Sequence, residues 1–186
     1  MRIISGSLKK KSIKFLKNLN TRPLKDSVKE NIFNILLHSN LFNVDIKDAS
    51  ILDLYSGIGS FGIECISRGA KKVVFIEKDK NAIKILKSNL LKLAIAEKAE
   101  VFNDNIENTL KTIRFSKFNI FFLDPPFNSN KYIENLELIK KKKLFKKNHI
   151  IILHREKKSF ENLEKFFKIL KTKNYGRSKV IFGCIN

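Results

Sequence analysis

Chemistry is densest at Asp124-Pro125-Pro126-Phe127, which directly follows the apolar run 119–123. Two consecutive prolines remove two N–H donors and hold the backbone extended, leaving carbonyls without local partners. A carboxylate, exposed carbonyls and an aromatic face within four residues form a compact receptor for a flat group bearing an amine. The oxygens accept the two amine hydrogens while Phe127 stacks on the ring. An aromatic amine is a poor nucleophile because its lone pair is delocalised into the ring. Acceptors on its hydrogens localise that lone pair, and a stiff loop orients it. Asp124, Pro125, Pro126 and Phe127 are therefore the candidate catalytic residues. An ordinary Pro-Pro turn after a strand is the plainer alternative.

A second segment supplies the partner chemistry. Asp53-Leu54-Tyr55-Ser56-Gly57-Ile58-Gly59-Ser60-Phe61-Gly62 contains G-x-G-x-x-G between an apolar run and a helical one, and Glu77 follows Gly57 by 20 residues. The glycines let a ligand approach the backbone, and an acid at that distance binds ribose hydroxyls. Asp53 decides between ligands. At the strand tip its carboxylate repels the pyrophosphate of a dinucleotide and attracts an ammonium. S-adenosylmethionine carries an ammonium and a sulfonium and no phosphate, so it fits this turn better than NAD. The candidate cofactor-binding residues are Asp53, Tyr55, Ser56, Gly57, Gly59 and Glu77, joined by Asp104 and Asn105 after the next strand, where an adenine amino group needs an acceptor. Plainer roles exist for the acids: a turn-capping carboxylate for Asp53, a strand-end acid for Glu77 and a helix N-cap for Asp104.

Positioning these groups requires strands that end where the motifs begin. From residue 50 onward apolar runs at 50–55, 72–76, 100–103, 119–123 and 149–153 alternate with helical periodicity at 60–69, 81–96, 106–113, 132–143 and 160–170. Repeated βα units with continuous apolar strands predict an α/β fold with a parallel sheet covered on both faces. The stretch 179–185, pairing with 173–175, predicts an antiparallel hairpin that finishes the sheet. In front, 3–5 and 13–15 predict a small basic hairpin, and 26–38 an amphipathic helix with Asp26 as N-cap and Val28, Ile32, Ile35 and Leu36 inward. Residues 1–40 thus read as a basic extension and 41–186 as the cofactor-binding domain.

The net charge is +20, with 38 basic and 18 acidic side chains. Lysine dominates, which coding bias alone could produce, but bias does not sort charge along a chain. Residues 51–130 are nearly balanced, whereas the first 25 hold eight basic side chains and no acid. Basic ends around a balanced centre point to a polyanion such as RNA, with Lys9, Lys10, Lys11, Arg22 and Lys25 as candidate contacts. No apolar run is long enough to span a membrane, and the two cysteines and three histidines lack metal-ligand spacing. The expectation is a cytoplasmic monomer with no metal and no membrane.

The Asp-Pro-Pro-Phe motif resembles that of class I methyltransferases acting on amino groups of nucleobases. Three further stretches, Met1 to Gly6, Thr21-Arg22-Pro23 through Leu36, and Leu52 through Ala70, resemble the ribosomal small-subunit methyltransferase D family. A Tyr175-Gly176 pair extends the likeness to nearly the whole chain. The resemblance implies a seven-stranded fold with a small N-terminal extension. It also implies S-adenosylmethionine as cofactor and guanine N2 at position 966 of 16S ribosomal RNA, within the small subunit, as target. Carried over, Asp53, Gly57 and Gly59 line the methionine end, Glu77 the ribose, Asp104 and Asn105 the adenine, and Asp124 to Phe127 the amine. From the motif itself an adenine-N6 enzyme stays open, as does a catalytically silent RNA-binding assembly factor.

Overall fold

The computed structural model describes residues 1–15, 24–112, 117–160 and 162–185. Alternate residues of each strand face opposite sides of the sheet, and this splits the apolar side chains between two cores. Ile51, Val73, Phe75, Ile120, Phe122, Ile150 and Ile152 join one; Leu52, Leu54, Val74, Ile76, Phe121, Leu123, Ile151 and Leu153 join the other. A strand that is apolar on both faces belongs in the middle of a covered parallel sheet. β1 (Ser50–Leu54), β2 (Lys72–Ile76), β4 (Phe118–Leu123) and the second half of β5 (Phe145–Glu156) are such strands, and the half-buried β3 (Ala99–Phe102) adds an edge, all parallel. β6 (Lys168–Tyr175) and β7 (Ser178–Cys184) close the sheet antiparallel, giving the order β3-β2-β1-β4-β5-β7-β6.

Helices α1 (Asp26–His38), α2 (Ser60–Ser67) and α3 (Lys80–Lys92) pack on the first face, while α4 (Ile106–Thr112) and α5 (Tyr132–Lys141) cover the second. Phe61 bridges α1 to the sheet: its ring centroid lies 5.2 Å from Phe33 and 4.0 Å from Phe122. The two halves of the sheet diverge between β1 and β4, where β1 connects outward to β2 and β4 to β5. Ligand sites in doubly wound folds form at this switch point, beyond the carboxyl ends of the strands. In-register pairing of Leu54 with Leu123 brings Asp53 and Asp124 to the same sheet edge.

The N-terminal extension shares the first core through Ile3, Leu8 and Ile13. Its backbone is pinned by buried polar side chains of α2 and α3. Glu64, fully buried, accepts hydrogen bonds from Ile4 N at 2.8 Å and Ser5 N at 2.9 Å, and from Arg68 Nε at 2.9 Å, with the Lys29 ammonium 3.8 Å away. Asn89 pairs with both backbone groups of Lys14. Gly6, at φ +83°, lies where any Cβ would strike the Ser67 carbonyl, so only glycine lets the loop approach α2.

Three local expectations are corrected. The 160–170 stretch is not a helix: Phe166 and Phe167 turn back to the Leu163 carbonyl, and from Lys168 the chain is β6. Helical spacing of its apolar residues is outweighed by edge pairing, which gives β7 a second hydrogen-bonded neighbour. The N-terminal hairpin reduces to one bridge, Arg2 with Ser12, because Gly6 and Lys10 at positive φ curl the chain around α2 instead. Asp26 is the first helical residue rather than the cap: Lys25 occupies the N-cap, and the Asp26 carboxylate lies 3.5 Å from the Lys29 ammonium.

Candidate active site

A cavity of about 480 Å³ runs along the carboxyl ends of the central strands. Its lining includes every sequence-predicted cofactor residue except Gly59, and all four residues of the Asp-Pro-Pro-Phe loop. Gly59 contributes from beneath, at φ +81° where the chain turns into α2, and a Cβ there would meet Leu86.

Asp53 lies 1% exposed at the tip of β1. Its Oδ2 accepts from Gly62 N at 3.0 Å in the first turn of α2, so the turn-capping role and a ligand role coexist in one side chain. Its Oδ1 is buried without a partner among the described residues. Burial pushes the Asp53 carboxyl well above the usual carboxylate range, opposed by the Gly62 bond and reinforced by the charges of Asp124 and Glu77. An unpaired buried carboxylate oxygen beside two further acids is suited to a cationic ligand and hostile to a pyrophosphate. The residues therefore fit S-adenosylmethionine, the cofactor the fold implies. Glu77 accepts from Gly57 N at 2.9 Å and Asp79 N at 2.8 Å, holding the glycine turn against β2. At Gly57, φ +53°, a Cβ would meet open space, so the turn leaves room on the cavity side. Tyr55, also at positive φ, accepts a hydrogen bond from Asn135 at 2.7 Å, and burial raises its hydroxyl. Asp104 accepts from Asn105 N and from the Asn108 side chain while lining the cavity, and Asn105, whose carbonyl accepts from Thr109 N, sits at the start of α4 in place of the predicted Asp104 cap.

On the neighbouring strand the loop after β4 differs from expectation. The sequence predicts unpartnered carbonyls, yet Pro126 O accepts from Ser129 N at 2.9 Å and from Arg155 Nη1 at 3.0 Å, and Phe127 O from Arg155 Nη2 at 2.9 Å. The prolines remove two N–H donors, and Ser129 N and the distant Arg155 guanidinium supply the bonds instead. The Pro125 carbonyl accepts no bond from any described residue. His154 Nδ1 lies 2.8 Å from Asp124 Oδ1, and its ring meets Phe127 edge-on. Neither His154 nor Arg155 is among the sequence-predicted site residues. The available signal is their place at the carboxyl end of the strand beside β4.

The predicted RNA contacts distribute differently. Lys25 lines a second cavity of about 460 Å³ with Phe127, His154, Tyr175 and Arg177. Lys9, Lys10 and Lys11 are exposed on the N-terminal loop, outside both cavities. Arg22 lies outside the described residues. Among those residues no helix is long and apolar enough to cross a membrane, and no cluster of three metal-ligating side chains occurs.

Sheet order, the acid-bearing glycine turn after β1 and the Asp-Pro-Pro-Phe loop after β4 together are those of a class I methyltransferase. The solved structure of yhhF from Escherichia coli superposes with a TM-score of 0.85 at 27% identity, covering 100% of this chain and 98% of that one. A precorrin-6y C5,15-methyltransferase from Geobacter metallireducens, 12% identical, shares the fold at a TM-score of 0.72. The chain belongs to the ribosomal small-subunit methyltransferase D family, for the family model described as conserved hypothetical protein 95 matches residues 1–184. It is 36% identical to ribosomal RNA small subunit methyltransferase D of Haemophilus influenzae over 84% of this chain and 79% of that protein. It is 33% identical to the Buchnera aphidicola protein of the same name over 92% and 86%.

Proposed function

We propose that this enzyme transfers the methyl group of S-adenosylmethionine to the exocyclic N2 of guanine 966 in 16S ribosomal RNA, within the small subunit in the cytoplasm. One observation carries the reading: the unpaired Asp53 oxygen and the acceptors of Asp124 and Pro125 belong to neighbouring strands and line one cavity. Relatives bearing the name ribosomal RNA small subunit methyltransferase D support the RNA substrate. So do Lys25 and Arg177, which line the second cavity beside Phe127 and suit a phosphate backbone.

Bound with its ammonium toward Asp53, the cofactor supplies an electrophilic sulfonium methyl. Asp53 and the Gly57 turn hold its amino-acid end, Glu77 its ribose, and Asp104 and Asn105 its adenine. Asp124 and the Pro125 carbonyl accept the two hydrogens of the target amine and localise its lone pair. Phe127 stacks on the base and fixes its plane. Asp124 takes up the proton the amine releases on gaining a methyl group. A loop guanine suits this site because extruding it needs little unstacking.

The test incubates the protein with methyl-labelled S-adenosylmethionine and small subunits lacking the modification, then maps the label. Label on guanine N2 at one RNA position is expected. Label on adenine N6, DNA or protein, or none anywhere, overturns the reading.

A further inference from the structure

The amine-receptor loop is held from one neighbouring strand by two consecutive residues on its opposite faces. At the end of β5, His154 meets the Asp124 side chain, and Arg155 meets the Pro126 and Phe127 carbonyls. Arg155 is 2% exposed and lies 4.6 Å from the centroid of the Tyr132 ring, so its guanidinium is fixed by stacking as well as by hydrogen bonds. A carboxylate has no hydrogen to donate, so the 2.8 Å contact with Asp124 places a proton on His154 Nδ1. His154 Nε2 is buried and has no partner among the described residues. Among those residues, the hydrogen-bonding partner of the ring is Asp124.

The consequence follows from counting acceptors. Asp124 Oδ1 is occupied by His154, Pro126 O by Arg155 and Ser129, and Phe127 O by Arg155. Of the Asp124 carboxylate and the carbonyls of Pro125, Pro126 and Phe127, two acceptors keep no partner among the described residues: the second oxygen of Asp124 and the carbonyl of Pro125. An amine presents two hydrogens. We propose that His154 and Arg155 are positioning residues which hold one Asp124 oxygen and the Pro126 and Phe127 carbonyls, leaving the other carboxylate oxygen and the Pro125 carbonyl aimed at the target –NH2. This rests on the methyl-transfer reading above and adds how the loop selects an amine rather than a hydroxyl, which would leave one oriented acceptor unpaired.

The experiment compares His154→Leu, His154→Asn and Arg155→Lys with wild type in single-turnover methyl transfer to unmodified small subunits. Cofactor affinity is measured alongside by calorimetry. Leu removes the donor; Asn keeps an N–H near the Nδ1 position; Lys keeps charge but loses the two-pronged grip. His154→Leu is expected to slow transfer about 10- to 100-fold with cofactor affinity within about twofold of wild type. Asn should recover most of that loss, and Lys should fall between them. Nitrogen-15 NMR of the imidazole, read on the folded protein without substrate, is expected to show the proton on Nδ1 and a changed signal in Asp124→Ala. Wild-type rates in His154→Leu, no recovery in Asn, or a proton on Nε2 would each overturn the proposal. If wild type methylates no RNA, the functional reading fails while the NMR result still decides whether His154 holds Asp124.

Discussion

Two aspartates on neighbouring strands line one cavity, and they are satisfied in opposite ways. Asp53 is buried at 1% exposure, and one of its oxygens has no partner among the described residues. Asp124 is partly exposed to the cavity, and one of its oxygens is held by His154. The first is an unmet charge that a cation satisfies; the second is a carboxylate fixed in place by protein so that its remaining oxygen faces a ligand. On the proposed function, the difference teaches that Asp53 would supply cofactor affinity through that unmet charge, while Asp124 would supply rate because its acceptor is already oriented.

Asp124→Ala probes this contrast hardest. It should lower the single-turnover rate about 100- to 1000-fold while cofactor affinity by calorimetry changes little. Equal loss of both would erase the distinction between the two aspartates. Asp53→Asn should do the reverse, lowering cofactor affinity about 10- to 100-fold as a charge-assisted contact is lost. A rate defect at saturating cofactor larger than the affinity defect would reassign Asp53 to the chemistry.

A pH series sharpens the same comparison. The folded Asp53 carboxyl holds its proton to higher pH than the unfolded one. Its contribution to stability is therefore full below the unfolded value of about 4 and is lost as pH rises through the folded value. Thermal melts of the ligand-free protein should show that loss, and Asp53→Asn should flatten it. Saturating cofactor should stabilise the protein more as pH rises, because the ligand cation meets the ionised form. The smallest effect is expected outside the cavity. Replacing Lys9, Lys10 and Lys11 with Ala should leave single-turnover rates at saturating RNA near wild type. It should reduce the salt dependence of RNA binding by a slope of about 2, the share of three single-strand phosphate contacts. An unchanged slope would place the RNA elsewhere, along Lys25 and Arg177.

Much of the fold was legible because it repeats. Continuous apolar runs of five or six residues separated by helical periods admit few arrangements other than a covered parallel sheet, and the strands after residue 50 fall where the runs do. The misreadings sit where tertiary partners outweigh local pattern. Leu163, Phe166 and Phe167 have helical spacing, yet the chain beyond them is drawn into the edge of β7. At the site, Asp53, Glu77 and Asp124 were legible because strand-end acids beside glycines or prolines have few roles. His154 and Arg155 were not, because nothing about a His-Arg pair in sequence says what lies on the next strand.

The sequence by itself determined the chemistry on offer: a turn that favours a cation, a loop that accepts an amine, and basic ends around a balanced centre. Those follow from residue types and spacings of a few positions, which the backbone fixes locally. Only the tertiary structure decided how the acceptors are shared out. The register of β1, β4 and β5 brings groups separated by 30 to 70 residues to one sheet edge. That packing settles which carboxylate oxygen is orphaned, which is held, and which carbonyls remain for a substrate. Long-range contacts made that assignment, and no local rule contains them.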